Sequence, residues 1–114
     1  MRRFIPALAT ALALSTPAAA ERRVYAGIEN QALQCAVYYS YTAFVMERRG
    51  LLSTTEKDFA ANVGVYIMDN YMGGTWDQKL AAHRIMLGRM PANDYALYDK
   101  ASRHLEWCRR TFLR

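Results

Sequence analysis

Apolar residues recur along the chain at intervals of three and four, and no run that alternates between polar and apolar is bounded by turn signals. That period belongs to amphipathic helices. Glycine and proline cut the pattern into four segments. The first predicted helix covers Val24–Arg49, with a stripe of Ile28, Ala32, Cys35, Tyr39, Thr42 and Met46. Leu33, Val37, Tyr41, Phe44 and Val45 widen its apolar surface beyond one face. Arg48 and Arg49 suit the negative end of the helix dipole, and Gly50 suits the position after the helix. The second helix opens on a capping box, Ser53-Thr54-Thr55-Glu56, and carries Phe59, Val63, Tyr66 and Ile67 inward. Ala60 and Gly64 are small and four apart, so a neighbouring helix can approach closely there, although a mid-helix glycine costs about 1 kcal/mol. Gly73-Gly74 ends that element. The third helix has its own capping box, Thr75-Trp76-Asp77-Gln78, and a face of Trp76, Leu80, His83 and Leu87, with Gly88 and Pro91 at its close. The fourth starts near Asn93, a favourable N-cap, and carries Tyr98, Ala101, Leu105, Cys108 and Phe112. Asp94 and Asp99 lie early on it and Arg109, Arg110 and Arg114 late, which complements the dipole.

Short connections make sequential helices antiparallel neighbours. The two cysteines, Cys35 and Cys108, fall on the inward stripes of the first and last helices. The predicted fold is therefore all-α, a small four-helix bundle stapled by one disulfide. The cysteines are too far apart for a CxxC redox motif, and no CxxCH for covalent haem occurs.

The start of the chain reads differently. Arg2 and Arg3 precede an apolar run from Ile5 to Leu14, and Ala18-Ala19-Ala20 forms a small-residue cleavage site before Glu21. These are the three parts of a secretory signal peptide over residues 1–20. The run falls short of the roughly 20 apolar residues a bilayer span needs. Cleavage leaves a single helical domain, residues 21–114, in a periplasmic or secreted location. The chain's formal charge of +5 then falls to a balance of 13 Lys and Arg against 10 Asp and Glu. That is too mild to indicate nucleic acid. The sequence predicts no integral membrane segment in the mature chain. Arg103, Arg109, Arg110 and Arg114 allow peripheral contact with an anionic membrane or an acidic partner.

Candidate chemistry is sparse. No serine elbow, P-loop, HExxH or EF-hand loop occurs, and the carboxylates form no catalytic pattern, so no enzyme activity and no cofactor are expected. His104 and Cys108 share a helix face, a nucleophile–base spacing that matters only for a free thiol. His83, Met86 and Met90, with Met68 and Met72 on the preceding helix, carry ligand types that suit Cu(I), or a haem iron. Methionine at helical spacing also fills cores. The eight tyrosines are the strongest functional signal. Tyr38, Tyr39 and Tyr41 point in different directions around one helix, so they cannot all face one core. With Trp76 and Trp107 they form the candidate binding surface, since Tyr and Trp are favoured where one end is dry and the other wet. The expected function is binding: an exported accessory protein that docks on another protein of the bacterial cell envelope. One alternative is a periplasmic stress chaperone whose core opens conditionally. In outline the chain resembles the small acid-stress chaperones of the bacterial periplasm, with a leader, a short helical mature chain and one disulfide. That likeness lies in architecture and implies no site. The other alternative is a copper or haem carrier.

Overall fold

A computed structural model describes residues 22–114. The signal peptide expected over residues 1–20 lies outside the described residues. Four helices follow one another: α1 (Gly27–Arg48), α2 (Thr54–Tyr71), α3 (Trp76–Leu87) and α4 (Asp94–Phe112). Among the described residues there is no strand, and no helix is long and apolar enough to cross a membrane. Both capping boxes form, with Ser53 and Thr75 each accepting from the backbone N–H three residues on. The Asn93 side chain likewise accepts from the Ala96 N–H at the start of α4.

α1 begins three residues later than the apolar pattern predicts. Gly27 takes a positive φ of 61°, a left-handed conformation that glycine adopts without strain, and the chain before it is extended. Residues 22–26 run back to the α2–α3 turn instead of joining the helix. The Tyr25 hydroxyl donates to the Gly73 carbonyl at 2.7 Å, and the Gly73 N–H donates to the Glu29 carboxylate at 2.7 Å. Arg23 pairs with Glu29 at 3.3 Å and lies across the turn. A Cβ at Gly73 would stand 2.9 Å from the Arg23 guanidinium, the flexible tip of that side chain, so the strap lies close over the turn.

The other three helices all pack on α1. Its sequence explains this. Ala32, Leu33, Cys35, Ala36, Val37, Tyr38, Thr42 and Ala43 are all buried, which is more than one stripe of its circumference. α2 comes closest. A Cβ on Gly64 would stand 2.9 Å from the Ala36 carbonyl oxygen, so the small-residue approach expected at Gly64 is present. Gly64→Ala gains about 1 kcal/mol in helix propensity but must push backbone against backbone, and overpacking of that kind costs about 1–3 kcal/mol. The expected net loss is about 1 kcal/mol, read as a lower urea midpoint at unchanged m-value.

α4 lies antiparallel to α1. The Cys35–Cys108 disulfide joins them with a Cα–Cα distance of 5.7 Å, as the inward stripes predict. Tyr38 stacks on His104, ring centroids 5.2 Å apart, and Arg49 pairs with Asp94 at 2.7 Å toward the far end. The staple fits an extracytoplasmic, oxidising location.

Two predicted stripes are rotated. On α2 Ile67 is buried and Val63 packs against the core as the stripe predicts, but Phe59 is 71% exposed and Tyr66 is also exposed, because Gly64 and Met68 turn inward in their place. On α3 the inward residues are Lys79, Ala82 and Met86, while Trp76 and Leu80 are exposed. Lys79 buries its methylene stem and sends its ammonium to the edge, 3.9 Å from Asp69 and 5.8 Å from the Trp76 ring centre. Ile28, on the predicted stripe of the first helix, is also exposed, since it lies a turn before the packed part of α1.

Candidate functional site

The five aromatic residues expected to form one binding surface lie in separate places. Tyr38 is only 3% exposed and is withdrawn from any surface by its stack on His104 and its packing in the core. Burial pushes its hydroxyl pKa up. Tyr39 is half-buried on the α4 side, its hydroxyl also pushed up by burial, with Arg109 opposing that shift. Trp107 meets Phe112 edge-on at 5.7 Å, and Tyr71 meets the same ring at 4.8 Å. Trp76 stands at the rim of a groove beside α3. Only Tyr41 belongs to the aromatic surface described next.

That surface is the end of the molecule where α1 stops and α4 starts. The last turns of α1 supply Tyr41, Phe44, Val45, Arg48 and Arg49; the next loop supplies Leu51; the first turns of α4 supply Asp94, Tyr95 and Tyr98. Two concavities of about 480 and 310 Å³ lie here, and Arg49 and Asp94 line both. Arg49 donates to Asp94 through Nε as well, again at 2.7 Å. Arg48 lies 5.6 Å above the Phe44 ring centre, and Tyr41 stacks beside that ring at 6.4 Å. Phe44 and Leu51 are exposed, and Tyr95 is 82% exposed. The Tyr98 hydroxyl is buried without a hydrogen-bond partner. Local rules place each charge: arginines complement the C-terminal end of one helix dipole and Asp94 the N-terminal end of another. Antiparallel packing then brings the two ends together.

Sequence reasoning named Tyr41 as a binding residue in a different grouping, placed Tyr98 on the apolar stripe of the fourth helix and gave Tyr95 no role. The signal that finds them is the disulfide register. Counting fourteen residues from Cys35 toward Arg49, and fourteen back from Cys108 to Asp94, puts the ion pair in register and Tyr95 and Tyr98 beside it.

A third concavity, about 200 Å³, lies where α1, α2 and α3 meet. Its walls include Val65, Met68, Trp76 and Leu80, and within it His83 Nε2 stands 3.3 Å from Ser40 Oγ. Burial holds the His83 imidazole pKa below its ordinary value. A serine beside a histidine has the reach of a nucleophile and base. Here the pair lacks the remaining parts. Among the described residues nothing else hydrogen-bonds His83 to orient it. Ser40 also approaches the Val37 carbonyl, at 3.4 Å, and sits mid-helix, where backbone N–H groups serve the helix rather than an oxyanion. The arrangement keeps a neutral imidazole in an apolar setting.

The soft-metal set is divided as well. His83 and Met68 line this groove, whereas Met72 and Met86 lie in the core and Met90 packs against it. Among the described residues no group of three or more His, Cys, Asp or Glu converges. Cys108 is oxidised in the disulfide, so the His104–Cys108 spacing brings no thiol to that histidine. No family model matches the chain, and no curated protein or solved structure matches it.

Proposed function

We propose that this is a periplasmic accessory protein that docks on one protein of the bacterial cell envelope through its tyrosine- and arginine-lined end, without turnover and without a cofactor. The observation that carries the reading is the grouping of Phe44, Leu51 and Tyr95, all exposed, around the Arg49–Asp94 pair, with a concavity on each side. Tyr and Arg are, with Trp, the residues enriched among those that dominate binding energy at protein interfaces. The complementary partner surface carries an apolar side chain for the larger hollow and a carboxylate for Arg48, whose guanidinium rests on Phe44 rather than on an acid. The leader-like start of the sequence and the disulfide support the location.

Photo-crosslinking from the host cell tests it. A photoreactive residue replacing Tyr95 should give one cross-linked protein species, and Arg48→Glu should abolish it. The same probe at Phe59, which is also largely exposed, should not trap that species. A Tyr95 probe that traps nothing, or that traps the same protein as the Phe59 probe with equal yield, rules the reading out.

A further inference from the structure

The positive charge of the mature chain is gathered in one place. Residues 99–114 carry five Lys and Arg side chains against two acids, Asp99 and Glu106, whereas residues 21–98 carry eight of each sign. The whole excess therefore lies on α4 and the two residues after it. The helix sets it on one face. Leu97, Ala101, Cys108 and Phe112 turn inward. Lys100, Arg103, Trp107, Arg110 and Arg114 recur at intervals of three and four, and all five are exposed. At 1.5 Å per residue the row is about 21 Å long. Arg114 follows the helix, and its Nε donates to the Arg110 carbonyl at 2.8 Å, which holds it in line. Arg109 stands on another side, toward Tyr39 of α1.

The helix dipole accounts for cations in the last turn. It does not account for Lys100, which lies nearer the start of α4, nor for a tryptophan that is 38% exposed in the middle of the row. Local acids answer only part of the charge. Arg103 pairs with Asp99, and Arg110 lies 3.8 Å from Glu106, whose nearer partner is Arg109 at 2.7 Å. These pairs are exposed, and such pairs hold little. Among the described residues Lys100 and Arg114 pair with no acid.

We propose that this face of α4 adsorbs on a bilayer surface that contains anionic phospholipid, with Lys100, Arg103, Arg110 and Arg114 on lipid phosphates and Trp107 at headgroup depth. It is a second surface, independent of docking through the Tyr95 end. The charge selects an anionic partner, and the shape of the row selects a membrane over an acidic protein. A straight, single-sign row fits a plane of many equivalent phosphates. None of the five residues lines the three hollows described above, so the row offers no socket there for a partner's side chain. Tryptophan is enriched at membrane–water interfaces, where its apolar ring and its N–H are both satisfied. The apolar side of α4 is already packed in the core, so the helix rests on the headgroups rather than sinking among the acyl chains.

Co-sedimentation of the mature, oxidised chain with vesicles tests this. Vesicles of phosphatidylglycerol mixed with phosphatidylcholine should bind it at low ionic strength, and vesicles of phosphatidylcholine alone should not. Binding should vanish in about 1 M salt, where the Debye length falls to about 3 Å. In a Trp76→Phe background Trp107 is the one remaining indole, and its emission should shift to the blue on binding. A basic residue near an anionic surface multiplies binding about fivefold. Lys100→Glu with Arg114→Glu should therefore weaken binding by more than about a hundredfold. Lys100→Gln with Arg114→Gln, which adds no repulsion and keeps the test open if the glutamate pair unfolds the helix, should weaken it about twentyfold. A parent chain that ignores the mixed vesicles or binds phosphatidylcholine equally well overturns the proposal, as does unchanged binding in a folded double variant. Binding to soluble polyglutamate but not to the mixed vesicles assigns the row to an acidic polypeptide and overturns it too.

Discussion

Replacing both cysteines, Cys35→Ala with Cys108→Ala, should lower stability by about 4 kcal/mol, the chain-entropy value for a closed loop of this length. The loop spans 73 residues, most of the described chain. A domain's whole stability is about 5–15 kcal/mol, so the loss is a large share of it. In a domain of this size it corresponds to a fall of roughly 15–30 °C in Tm. Thermal unfolding followed by circular dichroism, with and without reductant, measures it. The effect should also be functional. α4 carries Tyr95 and Tyr98 and lies along α1 at the disulfide and at the Arg49–Asp94 pair. That ion pair is partly exposed and supplies little by itself. Loss of the disulfide should therefore loosen the docking end before the α1–α2 pair, whose close approach at Gly64 does not depend on it. A double variant within 1 kcal/mol of the parent would show that the staple is not needed.

Phe112→Ala should cost about 3–5 kcal/mol, the range for emptying a buried aromatic site. Phe112 is 1% exposed and is the ring on which Tyr71 and Trp107 both rest edge-on. Its removal leaves a void between the ends of α2 and α4 and takes away two aromatic contacts. Trp107 gives a local readout, because its emission should shift to the red as its apolar neighbour is lost. Denaturant unfolding gives the magnitude. Phe112→Leu, which keeps most of the volume, should recover more than half of the loss. Equal losses for Ala and Leu would point to the ring contacts rather than to filling as the stabilising feature.

The elements were legible where local chemistry acts alone. Ser53 and Thr75 announce two helix starts through capping boxes, and Gly64 announces a close helix contact because nothing larger leaves room. The disulfide was legible because both cysteines fall on apolar stripes. Burial was harder to read where a helix is apolar all round. On α1 the pattern cannot choose between Tyr38, which is inside, and Tyr41, which borders a concavity. On α3 a lysine stands on the inward face, so the true stripe of Lys79, Ala82 and Met86 does not look apolar. The start of α1 depends on a strap between residues 23–25 and a turn nearly fifty positions away, which no local window contains. The candidate site was half legible. Arg48, Arg49 and Asp94 read correctly as dipole partners, but their meeting requires the register that the disulfide sets.

Native mass spectrometry of the protein gently purified from its own host tests the central claim most directly. The wild-type chain should carry a stoichiometric, protein-sized increment. Arg48→Glu and Tyr95→Ala should each lose it, while Phe59→Ala should retain it. A chain that flies alone with its disulfide formed, or an increment that Arg48→Glu and Tyr95→Ala leave unchanged, contradicts docking through this end.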